Sequence, residues 1–246
     1  MSIKDREIVL LEYLCKKKSA TVRELCDALF VSEPTMRRDL SALNTAGKII
    51  RTHGGAIYRN EPGENLPLAY REKEHSDAKT AIGKKCLSLI SDGETIMVDG
   101  SSTGLALLRN VGTKQSIVVI TNSAKAPLVL SDTGVKTFVT GGELATDTYA
   151  YTGSYTENFL QSFNADVCFF SVRTLTLGGE LTDNAIAENA VRKIMMAKSR
   201  KKVLMLDSQK IGKACMNTLC TLSDVDYVVC EKELSTLFPE YAHKFI

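Results

Sequence analysis

Adjacent arginines set among small polar side chains suit a chain that grips DNA, and the most chemically loaded stretch of this 246-residue sequence has that form. Ser32, Glu33, Pro34, Thr35, Arg37 and Arg38 stand together, and Arg51, His53, Gly54 and Gly55 follow shortly. Guanidinium groups pair bidentately with phosphates or guanine edges, while carboxylates and hydroxyls read other base edges. A second set is spread further along: Asp99, Ser101, Ser102 and Thr103, then Thr121 and Asn122, Gly141 and Gly142, Arg173, and Lys210. Hydroxyls, amides, glycine-exposed backbone N–H groups and a lysine are what a phosphate cradle is made from. Asp99 and Lys210 are equally able to do acid–base work.

The first set needs helices to present it. Met36, Leu40 and Leu43 fall at i, i+4 and i+7, so Glu33, Thr35, Arg37 and Arg38 are left on the outer face. Ser32 stands at the N-cap position, and Pro34 sits in the first turn, where a missing N–H costs little. Upstream, Thr21 and Glu24 form a capping box that opens a helix with Leu25, Ala28 and Leu29 inside. Only Phe30 and Val31 separate the two helices. Such a pair is a helix-turn-helix, whose second helix enters the major groove. After Gly47, residues 48–51 and 56–58 flank Gly54 and Gly55, a hairpin signal, and a basic hairpin there is a wing. Residues 4–17 form a further helix, with Ile8, Leu11 and Leu14 facing Leu25 and Leu40. The candidate DNA contacts are therefore Thr21, Ser32, Glu33, Pro34, Thr35, Arg37, Arg38, Arg51, His53, Gly54 and Gly55.

Charge is distributed to match. The net charge is +2, but residues 1–60 carry 11 Lys/Arg against 7 Asp/Glu, and residues 61–246 carry 20 against 22. A basic module on a near-neutral body suits a reader of an anionic polymer. The seven cysteines lie in apolar contexts with no Cys-x-x-Cys pair, as core residues of a reducing cytosol do. His53, His75 and His243 are too scattered for a histidine metal site, and no motif calls for a cofactor. The charged start is unlike a signal peptide, and no apolar run reaches the ~20 residues of a membrane span, so a cytoplasmic protein is expected.

Domain boundaries are expected at 1–58 for the winged helix, 59–75 for a linker containing two prolines, and 76–246 for an α/β domain. In the last, helices are predicted near 76–91, 103–111, 124–131, 154–163 and 185–200. They alternate with short apolar runs at 95–98, 117–120, 137–139, 167–170, 203–206 and 227–230. Continuous apolar strands are those covered on both faces, which implies a mostly parallel sheet between helices. Ligands of open α/β sheets bind at the carboxyl ends of strands. The second polar set lies at such ends and points to a polar, phosphorylated ligand.

The segments Thr35–Leu40 and Arg51–Ala56 resemble the signature of the DeoR family of bacterial transcriptional regulators. So do the loop Asp99–Thr103, the pair Thr121 and Asn122, the pair Gly141 and Gly142, and the segment Asp207–Gly212. Arg71 and Lys79 also fall where the family tends to carry basic residues. The resemblance implies an N-terminal winged helix joined to a sensor domain similar in fold to ribose-5-phosphate isomerase. In the family that domain binds phosphorylated sugars or related metabolites as inducers. The sequence departs from the family pattern twice. Ser101 replaces a glycine, removing the residue best able to adopt positive φ or to let a phosphate approach the backbone. Ser171–Thr174 replaces a stretch usually built around two glycines, where Arg173 is either a new anion contact, a pocket filler or a surface salt-bridge partner.

The expected function is thus a repressor of a sugar or carbohydrate operon, bound to double-stranded operator DNA as a homodimer or homotetramer. A phosphorylated effector would release it. The competing reading is a sugar-phosphate isomerase with Asp99 and Lys210 as acid–base residues and N-terminal helices used only for association.

Overall fold

In the computed structural model, which describes residues 3–58 and 68–246, the apolar stripes of the first sixty residues meet in one core. Helices α1 (Ile3–Lys17), α2 (Val22–Leu29) and α3 (Glu33–Thr45) contribute Leu10, Leu11, Leu14, Leu25, Leu29, Met36, Leu40 and Leu43, all buried. Leu10 takes the deep place expected of Ile8, and Val22 that of Ala28, which is exposed. A three-residue strand β1 (Ser19–Thr21), too short to read from sequence, pairs antiparallel with β3 (Gly55–Tyr58). β3 in turn pairs with β2 (Ile49–Arg51), giving the wing. Asp39, which carries no role in the sequence reading, is 3% exposed and accepts both Nε and Nη2 of Arg6, tying α3 to α1.

The two wing glycines differ. Neither has positive φ, so left-handed backbone is not their reason. A Cβ on Gly55 would collide with the Ala20 carbonyl and lie 2.8 Å from the Thr21 Cα, whereas one on Gly54 would meet nothing within 4 Å. Gly55→Ala should therefore lower the melting point of the DNA-binding unit, at a cost of about 1–3 kcal/mol for forced overpacking. Gly54→Ala should leave it within about 0.5 kcal/mol. Equal melting of the two variants would contradict this packing account.

The chain divides into two compact units, Met1–Glu64 and Asn65–Ile246. The second opens with α4 (Leu68–Lys73), inside the stretch expected to be linker; residues 59–67 lie outside the described residues. The two prolines prompted the linker expectation. Yet Leu68 is fully buried, with its N–H donated to Asp147 O at 2.8 Å.

After α5 (Ser76–Cys86), six strands form one parallel sheet: β4 (Thr95–Val98), β5 (Val118–Thr121), β6 (Lys136–Val139), β9 (Ala165–Phe170), β12 (Ser199–Met205) and β14 (Tyr227–Val229). Their order across the sheet is β14-β12-β9-β4-β5-β6. Alternate residues feed opposite faces, which is why each strand reads as a continuous apolar run. Val167 and Phe169 join one core with Ile82 of α5, Leu105 of α6 (Ser102–Leu108) and Leu130 of α7 (Ala126–Leu130). Cys168 and Phe170 join the other, with Leu160 of α8 (Ser154–Gln161) and Val191 of α9 (Ile186–Ala197). Burial pushes the Cys86 and Cys168 thiols up to about 12, leaving them unreactive at neutral pH. Two small antiparallel sheets escape the sequence reading. One is the hairpin of β7 (Glu143–Ala145) and β8 (Ala150–Thr152). The other joins β10 (Thr174–Leu175), β11 (Glu180–Asp183) and β13 (Asn217–Thr221). No described helix is long and apolar enough to cross a membrane.

Candidate functional site

On the DNA-binding unit, Thr21 caps α2. Its hydroxyl accepts the Glu24 N–H at 3.2 Å, and the Glu24 carboxylate accepts the Thr21 N–H at 2.8 Å, which holds that carboxyl below its usual range. Ser32 occupies the N-cap of α3 without capping it. Pro34 has no N–H to offer, and the Ser32 hydroxyl meets Thr35 Oγ1 at 3.0 Å instead. Arg37 and Glu33 pair with each other across one turn, with Nε–Oε1 at 3.1 Å. Arg38 is exposed and held by no bond among the described residues. Arg51 lies back on α3, its Nη1 donating to Ser41 Oγ at 2.8 Å and its N–H to Asn44 Oδ1 at 3.0 Å. That pins the wing to the recognition helix. His53 is exposed at the wing tip, and Gly54 O accepts the Val22 N–H at 2.8 Å.

In the second unit the chain runs outward from β4 through β5 to β6, then returns and runs the other way through β9, β12 and β14. The carboxyl ends of β4 and β9 therefore meet where the strand order reverses, which is where open α/β sheets bind ligands. A cavity of about 160 Å³ lies there. Its walls include Ser101 and Ser102 after β4, Ser171 and Arg173 after β9, Lys210 after β12, and Arg71, Lys79, Asp183, Glu188 and Arg192 from neighbouring elements. Asp99 stands behind this wall, 2% exposed and fully engaged. Its Oδ2 accepts the Ser171 N–H and Arg192 Nε, both at 3.1 Å, and its Oδ1 accepts the Ser101 N–H at 3.3 Å. It joins β4 to β9 and is not the open acceptor that a sugar hydroxyl would need.

Arg192 is the residue sequence reasoning missed. It is buried and bonded to Asp99, to Asp183 (2.9 Å) and to Glu188 (2.9 Å). Burial opposes its charge, but the three carboxylates outweigh that and raise its pKa. Burial likewise raises the Asp183 carboxyl, but Arg192 outweighs it and holds that carboxyl below its usual range. A signal existed: positions 188, 191, 192 and 195 form one helical stripe, placing Glu188 and Arg192 beside Val191 and Met195 on the inner face.

Around that anchored network stand cations. Burial lowers Arg71, and it lowers Lys79, with help from nearby Lys210, to about 8. Burial also lowers Lys210, whose Nζ donates to Ser171 Oγ at 2.9 Å and lies 3.7 Å from Asp207 Oδ2. Arg173 lines the cavity and is half-buried. Ser101 has φ −74°, so the glycine it replaces is not needed for backbone freedom here. Its hydroxyl caps α6 by accepting the Gly104 N–H at 2.9 Å.

The remaining candidates are not among the residues that line this cavity. Thr121 Oγ1 accepts the Ser123 N–H at 3.1 Å. Asn122 holds the 99–104 loop, its Oδ1 accepting the Gly100 N–H and its Nδ2 donating to Tyr151 O, both at 2.9 Å. Gly141 and Gly142 have φ of 63° and 116°, and a Cβ on Gly142 would lie 2.8 Å from Thr152 O. These residues shape loops. Thr103 is fully buried, and its hydroxyl has no hydrogen-bond partner among the described residues.

The sequence matches the DeoR-like helix-turn-helix domain over residues 6–61 and the DeoR C terminal sensor domain over residues 74–232. It is 29% identical to the HTH-type transcriptional regulator GolR of Listeria innocua, covering 94% of this chain and 91% of that protein. It is 28% identical to the lactose phosphotransferase system repressor of Staphylococcus aureus, covering 89% and 88%. Among solved structures, ribose 5-phosphate isomerase A of Methanocaldococcus jannaschii aligns with a TM-score of 0.42 at 16% identity, over 55% of this chain and 54% of that one.

Proposed function

The chain belongs to the DeoR family of transcriptional regulators, and from that premise we propose that it represses a sugar or carbohydrate operon and is released by a phosphorylated sugar. It is a DNA-binding regulator and not an isomerase, since the relatives that it matches over about nine-tenths of their length are named regulators. One of those is named a lactose phosphotransferase system repressor, which favours repression here.

The observation that carries the effector reading is the ring of cations at the β4–β9 reversal. Arg71, Lys79, Arg173 and Lys210 line one small cavity together with the carboxylates of Glu74, Asp183, Glu188 and Asp207, and a phosphate dianion entering it would meet several cations at once. The polar wall of Ser101, Ser102 and Ser171 suits sugar hydroxyls. Arg38, Thr35 and His53 would face DNA, and two such heads in a homodimer or homotetramer would read paired half-sites.

Lys210→Ala tests the site. The variant should bind operator DNA as the wild type does, yet need at least tenfold more sugar phosphate for release, since an effector acts only through its differential affinity for two states. Release of both proteins at one concentration would remove Lys210 from the site. Failure of every hexose and pentose phosphate to release the wild type would remove the effector class.

A further inference from the structure

Residues 59–67 lead from the DNA-binding unit directly into α4, so any signal carried along the chain from the cavity passes through Leu68–Lys73. Among the described residues, at least three contacts hold that short helix. At its start, the Leu68 N–H is bonded to Asp147 O. On its flank, the Glu72 carboxylate takes both Arg109 of the α6 end and Lys125 just before α7. At its far end, Lys79 Nζ donates to the carbonyls of Arg71 and Glu74.

Lys79 belongs to the cavity as well. It is only 4% exposed, lines the wall beside Arg71, and has no ion-pair partner among the described residues. An ammonium has three donors. Two hold the end of α4, and the third remains for a ligand. Burial and the nearby Lys210 charge weaken its proton affinity, so an anion entering the cavity strengthens its charged form.

We propose that α4 is the element coupling the cavity to operator affinity, with Lys79 joining a bound anion to the last carbonyls of the helix. This rests on the reading of the cavity as an anionic-effector site. The coupling is a free energy shared between two sites, so loosening α4 should alter the response without altering the cavity.

Glu72→Gln makes that separation, because Glu72 holds α4 from outside the cavity wall. The ligands are inorganic phosphate, glucose 6-phosphate, fructose 1-phosphate and ribose 5-phosphate, measured by calorimetry on the free full-length protein. Operator affinity is then measured with and without a saturating amount of whichever binds. In the Glu72→Gln variant ligand affinity should stay within threefold of wild type, while the ligand-induced change in operator affinity shrinks at least fivefold. Lys79→Met should lose both, with ligand affinity down at least tenfold. An unchanged operator response in Glu72→Gln, with wild-type ligand binding intact, overturns α4 as the coupling element alone. If the wild type binds none of the four, the effector reading fails and the coupling fails with it.

Discussion

Arg192→Met is expected to destabilise the sensor unit by about 3–5 kcal/mol at neutral pH, the usual result of leaving buried charges without their partner. Three carboxylates depend on this guanidinium: Asp99 at 3.1 Å, and Asp183 and Glu188 at 2.9 Å each. The sign with pH should separate the two proteins. In the wild type Asp183 is held below its usual range, so its contribution is present above about pH 4 and is lost as pH falls further. Without Arg192, the burial that raises the Asp183 carboxyl loses its largest opposing charge, and the folded pKa of that group rises above the unfolded one. The variant should therefore regain stability as pH drops from 7 towards 5, where the wild type stays level in this respect. Urea melts at both pH values measure it. A variant within about 1 kcal/mol of wild type at pH 7 would show that the network is not the anchor described.

How much of this was readable beforehand depended on whether each residue's partners were near in sequence. The six parallel strands were legible because both faces of each are buried, so Val167 through Phe170 read as one apolar run. The capping box at Thr21 was legible because both of its partners lie within three residues. The order of the strands was not. Without it, the loops after β4, β5, β6 and β12 look equivalent, and the sequence places Thr121, Asn122, Gly141 and Gly142 in the site beside Ser101 and Lys210. In the fold Ser101 and Lys210 line the cavity, and the other four do not. The reversal between β4 and β9 also gives Asp99 its role, since its partners Ser171 and Arg192 are 72 and 93 residues away. Ser101 shows the converse error. A family pattern implied a need for positive φ that the backbone, at −74°, does not have.

The recognition helix offers a test in which neighbouring arginines should behave differently. Arg37 is already paired with Glu33 across one turn, while Arg38 is exposed and held by no described residue. A paired arginine must give up or share its carboxylate to reach DNA, and the carboxylate itself repels phosphates. Arg38→Ala should therefore cost about 1–3 kcal/mol of operator affinity if its guanidinium reads a base edge, with relaxed preference at one base pair. Arg37→Ala should cost less. Glu33→Ala should act in the opposite direction on random DNA: it frees Arg37 and removes a negative charge, so non-specific affinity rises and the salt dependence steepens by about one counterion. Binding isotherms at several salt concentrations, on operator and scrambled duplexes, distinguish these outcomes. If Arg38→Ala loses equally on both duplexes, the residue is a phosphate contact. If it loses on neither while Arg37→Ala does, the outer face of α3 meets DNA through the paired arginine and not through Arg38.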